Sequence, residues 1–310
     1  MRRLVAVHFV PCALFVTCLY AMVRAGSFSG RSDWGAVLPS DPAAAVGPLL
    51  LIGSCAAVLG MLQYPFQVRG VRVLEGYWDR WPVTAGLAGT LMELQRCRRH
   101  TLDARASAAA DAGPNAQRVA ADAFRRLTAG PPEHTLLPTA LGNALRAGEL
   151  SAGERYGLTT LASWPHIYMQ VSDRMSEVLR STRDALDTSV NLCWSFLAVG
   201  AVLAIALYDE PGVRWSPLLA LALAAVAYKG AVVMAQAYSG LMHVVYDLHR
   251  FDLLDALHHP LPDKESELDV FGQVSKLFGG HGVPDLPYEH DERRFSKASH
   301  AEDADGTTDA

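Results

Sequence analysis

Apolar residues in this chain fall into four blocks separated by charge-rich stretches. The first covers residues 4–23 (LVAVHFVPCALFVTCLYAMV), with His8 its one acidic or basic side chain. The second, residues 43–64, and the third, residues 190–207, carry no charge. The fourth, residues 216–238, is interrupted only by Lys229. Crossing a hydrocarbon core of about 30 Å takes about 20 helical residues. A buried helix of a soluble protein seldom runs that far without a polar stripe. The pattern predicts four transmembrane helices in two hairpins, with spans at about 4–23 and 43–64, then 190–207 and 216–238.

Between the hairpins the pattern changes. Residues 65–189 hold 15 Arg, no Lys and 13 acidic residues, a near-neutral balance that suits a soluble domain. Few β-branched or aromatic residues alternate at period two, so strands are not expected. Helices are predicted at 71–78, 85–110, 115–129, 138–150 and 171–189. Breaks are expected at Trp81-Pro82, Gly113-Pro114, Gly130-Pro131-Pro132 and Trp164-Pro165. In the last helix Val171, Met175, Val178, Thr182 and Leu186 recur at helical spacing. It meets the third span without a Pro or Gly. The fourth span likewise continues through His243, Val244, Asp247, Leu248, Phe251 and Leu254. A pair of long helices projecting as a stalk is expected, with separate helices meeting at the interface as the alternative. From Leu241 onward 15 acidic residues face six basic ones. Residues 270–277 suit a short amphipathic helix, and the chain beyond Gly279 has a disordered, acidic composition.

Charge then sets the expected orientation. Arg2, Arg3, Arg69, Arg72, Arg80, Arg174, Arg180, Arg183 and Arg250 flank the spans on one side, against Arg24, Arg31 and Arg214 on the other. The positive-inside rule puts the larger group, both termini and residues 65–189 in the cytoplasm. Met1-Arg2-Arg3 before an apolar run also fits a signal peptide, but the run exceeds the usual ~7–15 residues of a signal core, so a retained anchor is expected. The net charge of −5 offers no basic face for nucleic acid. Cys12, Cys18, Cys55, Cys97 and Cys193 form no CxxC pair and no zinc spacing.

Candidate chemistry is sparse. Lys229 is the costly residue of the fourth span, at about 2.5–3.5 kcal/mol if it lay at the bilayer centre. It is either a cation turned into the bundle or a side chain snorkelling to the interface. Arg146, Glu149, Glu154 and Arg155 form a candidate polar cluster, functional or structural, and Gly142 and Gly148 would let backbones approach closely. Acid–base work by two carboxylates requires environments that push their pKa values apart, and nothing in the sequence marks such an environment. No phosphate loop or nucleophile elbow occurs. His243 and His249 are six apart, off the spacing of a helical metal pair.

The segment 137–158, together with Leu74-Glu75-Gly76-Tyr77-Trp78 and Tyr246-Asp247-Leu248-His249-Arg250, resembles multi-pass integral membrane proteins of high-GC actinobacteria over residues 60–255. That resemblance implies the same layout of membrane helices and cytoplasmic domain and an actinobacterial origin. It implies no activity and no catalytic residue.

The expected fold is therefore an all-α membrane protein. Its parts are a hairpin at 1–64, a cytoplasmic helical domain at 65–189, a second hairpin with its stalk at 190–258 and an acidic, mostly disordered tail at 259–310. The expected location is the cell membrane. No catalytic residue, cofactor or metal ion is assigned, and nothing marks an enzyme. The expected role is a scaffold, sensor or partner-docking module. Its expected partners are membrane lipid and a protein partner or second copy of the chain, and no nucleic acid. An oligomeric transporter or channel component, or a membrane-associated enzyme, is the alternative.

Overall fold

A computed structural model describes residues 5–38, 41–78, 82–107, 113–280 and Leu286. Among these the secondary structure is helical throughout, with no strand. Four helices are long and apolar enough to cross a membrane, spanning Val7–Arg24, Ala43–Glu75, Asp173–Ala206 and Ser216–Ala256. The chain divides into two compact units. The first is Met1–Gly148 with Glu177–Leu241, and the second is Glu149–Ser176 with Met242–Ala310.

The first unit opens with a π-helical turn, Val5–Phe9, that leads into α1 (Val10–Arg24). Helix α2 (Val46–Gln63) follows a short turn at Pro42–Ala45 whose first N–H is capped by the Asp41 carboxylate. A tight turn at Tyr64–Phe66 then leads into α3 (Gln67–Glu75). The sequence pattern places this helix at 71–78. It starts earlier because the turn around Pro65 never breaks the helical run, and it stops at Gly76, which takes the left-handed φ of +96°. Helices α4 (Pro82–Ser107) and α5 (Pro114–Thr128) pack against each other, and each begins on a proline whose missing N–H costs nothing at that position. Arg99 ties the pair to the following loop by donating to the Pro131 carbonyl at 2.7 Å.

Helix α6 (Ala140–Ser151) is held at its start by Thr139. The Thr139 hydroxyl accepts the Gly142 N–H at 3.0 Å and donates to the Glu75 carbonyl at 2.7 Å. Val71 of α3 and Leu141 and Ala144 of α6 form the core of this unit. They close against Leu186 and Val190 of α8 (Asp173–Ala206) and Ala231 and Ala235 of α9 (Ser216–Ala256). Two glycines make this possible. A Cβ on Gly142 would land on the Glu75 carbonyl, and one on Gly148 would land on the Ser239 hydroxyl. The close approach expected of these two residues is thus real, between α6 and α3 and between α6 and α9. Away from this core, Met22, Ala206 and Leu207 form a second cluster joining α1 to the end of α8. Beside it the loops are tied, since Ser32 donates from both its N–H (2.7 Å) and its hydroxyl to the Glu210 carboxylate.

Each of the last two long helices is unbroken. At ~1.5 Å per residue, the 34 residues of α8 reach about 50 Å and the 41 of α9 about 60 Å, both more than the ~30 Å of a bilayer core.

The second unit is built from α7 (Thr160–Tyr168), the C-terminal part of α9 and α10 (Glu267–Phe278). Tyr246, Phe271, Leu158, Ile167 and Leu254 are fully buried. The Tyr246 hydroxyl donates to the Thr160 carbonyl at 3.0 Å and lies 2.8 Å from the Ser163 hydroxyl, and its ring stacks on Trp164. The expected break at Trp164-Pro165 is overturned, because Pro165 lies inside α7. Pro165 forfeits only the bond to the Leu161 carbonyl, and packing around Ile167 and Ser163 outweighs that loss in so short a helix. The amphipathic segment expected at 270–277 is the longer α10, with Phe271 and Val274 buried. The acidic composition from residue 259 therefore does not prevent residues 267–278 from contributing to a core. The disorder expected beyond Gly279 falls, apart from Gly280 and Leu286, on residues outside those described.

Candidate functional site

The most polar position among the apolar helices begins with a proline. Pro11 is the second residue of α1 and has no N–H, so the carbonyl of Val7 four residues back has no intrahelical donor. Asn191 of α8 fills the gap, donating from Nδ2 to the Val7 carbonyl at 2.8 Å, with His8 Nδ1 at 3.4 Å. The Asn191 Oδ1 accepts from Gln63 Nε2 at 3.2 Å, and the Gln63 Oε1 accepts from the Cys12 thiol at 3.2 Å. Asn191 is 1% exposed and His8 6%, so the node is closed off. The His8 ring also meets Tyr64 edge-on, with centroids 5.5 Å apart. Three of the four apolar helices contribute to this one network. Inside hydrocarbon, broken helical backbone is tolerated where a neighbouring helix restores its hydrogen bonds, which is what Asn191 does here.

Beside the node a crevice of about 470 Å³ opens between α1, α2 and α8, lined mainly by Phe15, Leu62, Phe66 and Trp194, with Cys12 and Gln63 in its wall. The Trp194 indole N–H is occupied by the Gly70 carbonyl at 3.3 Å.

A second polar centre lies within the second unit, around Asp247. Its carboxylate accepts the Tyr156 hydroxyl, meets His243 Nε2 at 3.4 Å one turn away and has Arg155 at 3.9 Å. His243 Nδ1 faces the Ser151 carbonyl at 2.8 Å. Arg250 donates to the Asp247 carbonyl at 2.6 Å and to Glu267 at 2.9 Å, and its guanidinium lies 4.5 Å from the centre of the Tyr156 ring. Burial pushes the Tyr156 phenol above its ordinary pKa. The Asp247 hydrogen bond and charge push it the same way, against the opposing pull of Arg155 and Arg250. This arrangement clamps the turn Glu154–Tyr156 to α9 and α10.

The candidate cluster residues from the sequence lie on α6 and on the turn that follows it. Arg146 is half-buried on α6 in the first unit. Glu149, Glu154 and Arg155 belong to the second unit, the two glutamates half-buried and Arg155 exposed. Arg155 meets Asp247, and its guanidinium lies over the ring of Tyr156. Lys229 is exposed on α9, not turned into the bundle, while its neighbour Tyr228 accepts the Leu141 N–H at 3.2 Å. The residues missed by sequence reasoning are Asn191, Gln63 and Asp247. The first two carried a readable signal, being amides at the ends of apolar blocks. The role of Asp247 depends on Tyr156, 91 positions away.

Among the described residues no group of three His, Cys, Asp or Glu side chains is placed to hold a metal ion. Compared with known proteins, the chain matches no protein-family model, no curated protein and no solved structure, so the resemblance to actinobacterial membrane proteins stands on its quoted residues alone.

Proposed function

We propose that the chain is an integral protein of the cell membrane with four spans, both termini and residues 65–189 on the cytoplasmic side, and that it serves as a scaffold or partner-docking module. One observation carries this reading. The single helix α9 supplies both an apolar span-length segment and, after Met242, the buried tyrosine at the centre of the second unit. A continuous helix of this kind links a water-facing unit to a membrane anchor in one chain segment. Exposed apolar side chains on its first half, including Leu218, Leu219 and Val226, are what a helix facing lipid presents. The excess of flanking arginines at one end of the spans sets the orientation.

The decisive experiment is topology mapping in the full-length protein. Reporter fusions after Leu241 and after the C-terminus are expected to be active only in the cytoplasm, and one within the loop at 208–214 only outside. Activity of the C-terminal fusion on the outer side would overturn the orientation. Release of the protein into the supernatant without detergent would overturn the spans. A second reading, an oligomeric transporter or channel component, draws on Lys229, because a cation exposed on a span can meet a second copy of the chain. A monomeric mass in detergent by light scattering would dismiss it.

A further inference from the structure

The crevice between α1, α2 and α8 and the start of α3 together form a surface with two chemically distinct parts. We propose that it holds one molecule of an anionic phospholipid, with an acyl chain in the crevice and the phosphate against Arg69 and Arg72. The inference rests on the reading of α1, α2 and α8 as spans.

The crevice itself selects hydrocarbon. The amide and thiol in its wall are already engaged, because Gln63 accepts from Cys12 and donates to Asn191. The Trp194 N–H is likewise spent on the Gly70 carbonyl. A Cβ on Gly70 would meet the indole nitrogen at 3.4 Å, so the helix and the indole are in close contact there. What remains for an occupant is the apolar surface of Phe15, Leu62, Phe66 and Trp194. The volume of about 470 Å³ lies within the ~300–1,000 Å³ of small-molecule sites. A crevice of this kind opening between spans faces acyl chains, and the Ser195 hydroxyl in its wall is the one polar group not tied to a described partner.

The arginines select charge. Leu62 and Phe66 lie one helical turn apart on the crevice wall, Arg69 follows one turn beyond Phe66, and Arg72 one turn beyond that. Both arginines are exposed, and among the described residues neither has an ion-pair partner. Two guanidiniums at the end of an apolar groove match a phosphate attached to a hydrocarbon chain. A free phosphate leaves the groove empty, and a zwitterionic headgroup offsets the charge.

The test uses full-length protein, delipidated in mild detergent and titrated with phosphatidylglycerol or phosphatidylcholine of matched chains, read by native mass spectrometry. One equivalent of phosphatidylglycerol is expected to be retained under activation that strips phosphatidylcholine. Arg69→Gln and Arg72→Gln are expected to weaken retention about fivefold each. Leu62→Trp, at a position exposed enough to accept bulk, is expected to weaken retention of both lipids by filling the groove. Equal retention of the two lipids by the wild type, or no change in the arginine variants, would overturn the proposal. So would binding of glycerol 3-phosphate alone as tightly as the lipid, or indifference to Leu62→Trp. A protein that needs detergent yet treats both lipids alike loses only the lipid site, whereas one that stays in the supernatant without detergent loses the spans themselves.

Discussion

The two units are held together by different means. Where the apolar helices of the first unit meet, the buried residues are mostly small. Ala56, Ala206, Ala220, Ala224, Ala231 and Ala235 are all buried, and a Cβ added to Gly200 of α8 would sit 3.5 Å from the Ala220 methyl. Many larger apolar side chains of these helices, such as Leu50, Leu218 and Val226, point outward, while Leu186, Val190 and Leu207 are buried among the small residues. The second unit reverses this, burying Tyr246, Phe271, Leu158, Ile167 and Leu254 completely. Under the proposed placement of the apolar helices in lipid and the second unit in water, the contrast follows from the solvent. In lipid a leucine gains nothing by moving from an acyl chain to a neighbouring helix, so close backbone packing and interhelical hydrogen bonds must hold the helices. In water each large side chain buried contributes about 1.5–3 kcal/mol. Composition alone would not separate the two kinds of helix within α9, which contains both.

The comparison can be broken at the second unit first. Tyr246→Ala should cost about 3–5 kcal/mol and abolish hydrogen-exchange protection in α7 and α10, with protection in α1 and α2 unchanged. A uniform loss across both units would show that the molecule unfolds as one body and that the contrast has no energetic meaning. Gly142→Ala should be next, at about 1–3 kcal/mol for a methyl forced onto the Glu75 carbonyl. Denaturant titration in mixed micelles would read it, and an unchanged midpoint would mean that α3 and α6 separate freely. Asn191→Leu should cost less, roughly 0.6–1.7 kcal/mol, although it removes every hydrogen bond that Asn191 makes in the node. A loss as large as that of Tyr246→Ala would show that the polar node, not small-residue packing, carries the helix assembly.

The smallest effect is expected at Glu210. The Ser32 hydroxyl and N–H, helped by the charge of Arg31 and opposed by burial, hold its carboxyl below the ordinary glutamate pKa. A carboxyl lowered on folding stabilises the folded state above its unfolded pKa, and that contribution is lost as pH falls through the folded value. Wild-type thermal stability in detergent should therefore decline more steeply below about pH 4.5 than that of Glu210→Gln. Parallel profiles would show that the tie between the loops carries no stability.

Much of the helical layout is legible without coordinates. Pro82 and Pro114 open helices, the Gly130-Pro131-Pro132 run separates α5 from α6, and the unbroken pattern from residue 171 to 207 matches the single helix α8. Local signals mislead at Trp164-Pro165, where packing overrides the proline, and α7 as a whole has no sequence counterpart in the expected helices. The candidate site is less legible. Arg155 does join a polar cluster, but its centre is Asp247, reached through Tyr156. The membrane-level node links Val7 to Asn191 across 184 positions, and no periodicity reports a pairing of that range.

Apolar length and helix-breaking residues act locally. The cost of leaving a peptide group unbonded in hydrocarbon, and the transfer free energy of each side chain, do not depend on which helix lies alongside. The sequence by itself therefore determined four span-length helices and most of the helix ends between them. Which amide meets the carbonyl freed by Pro11, which glycine admits a neighbouring backbone and which carboxylate gathers Tyr156 and His243 depend on contacts between distant segments. Only the tertiary structure decided these, because a hydrogen bond or a close backbone approach exists only once both partners are in place.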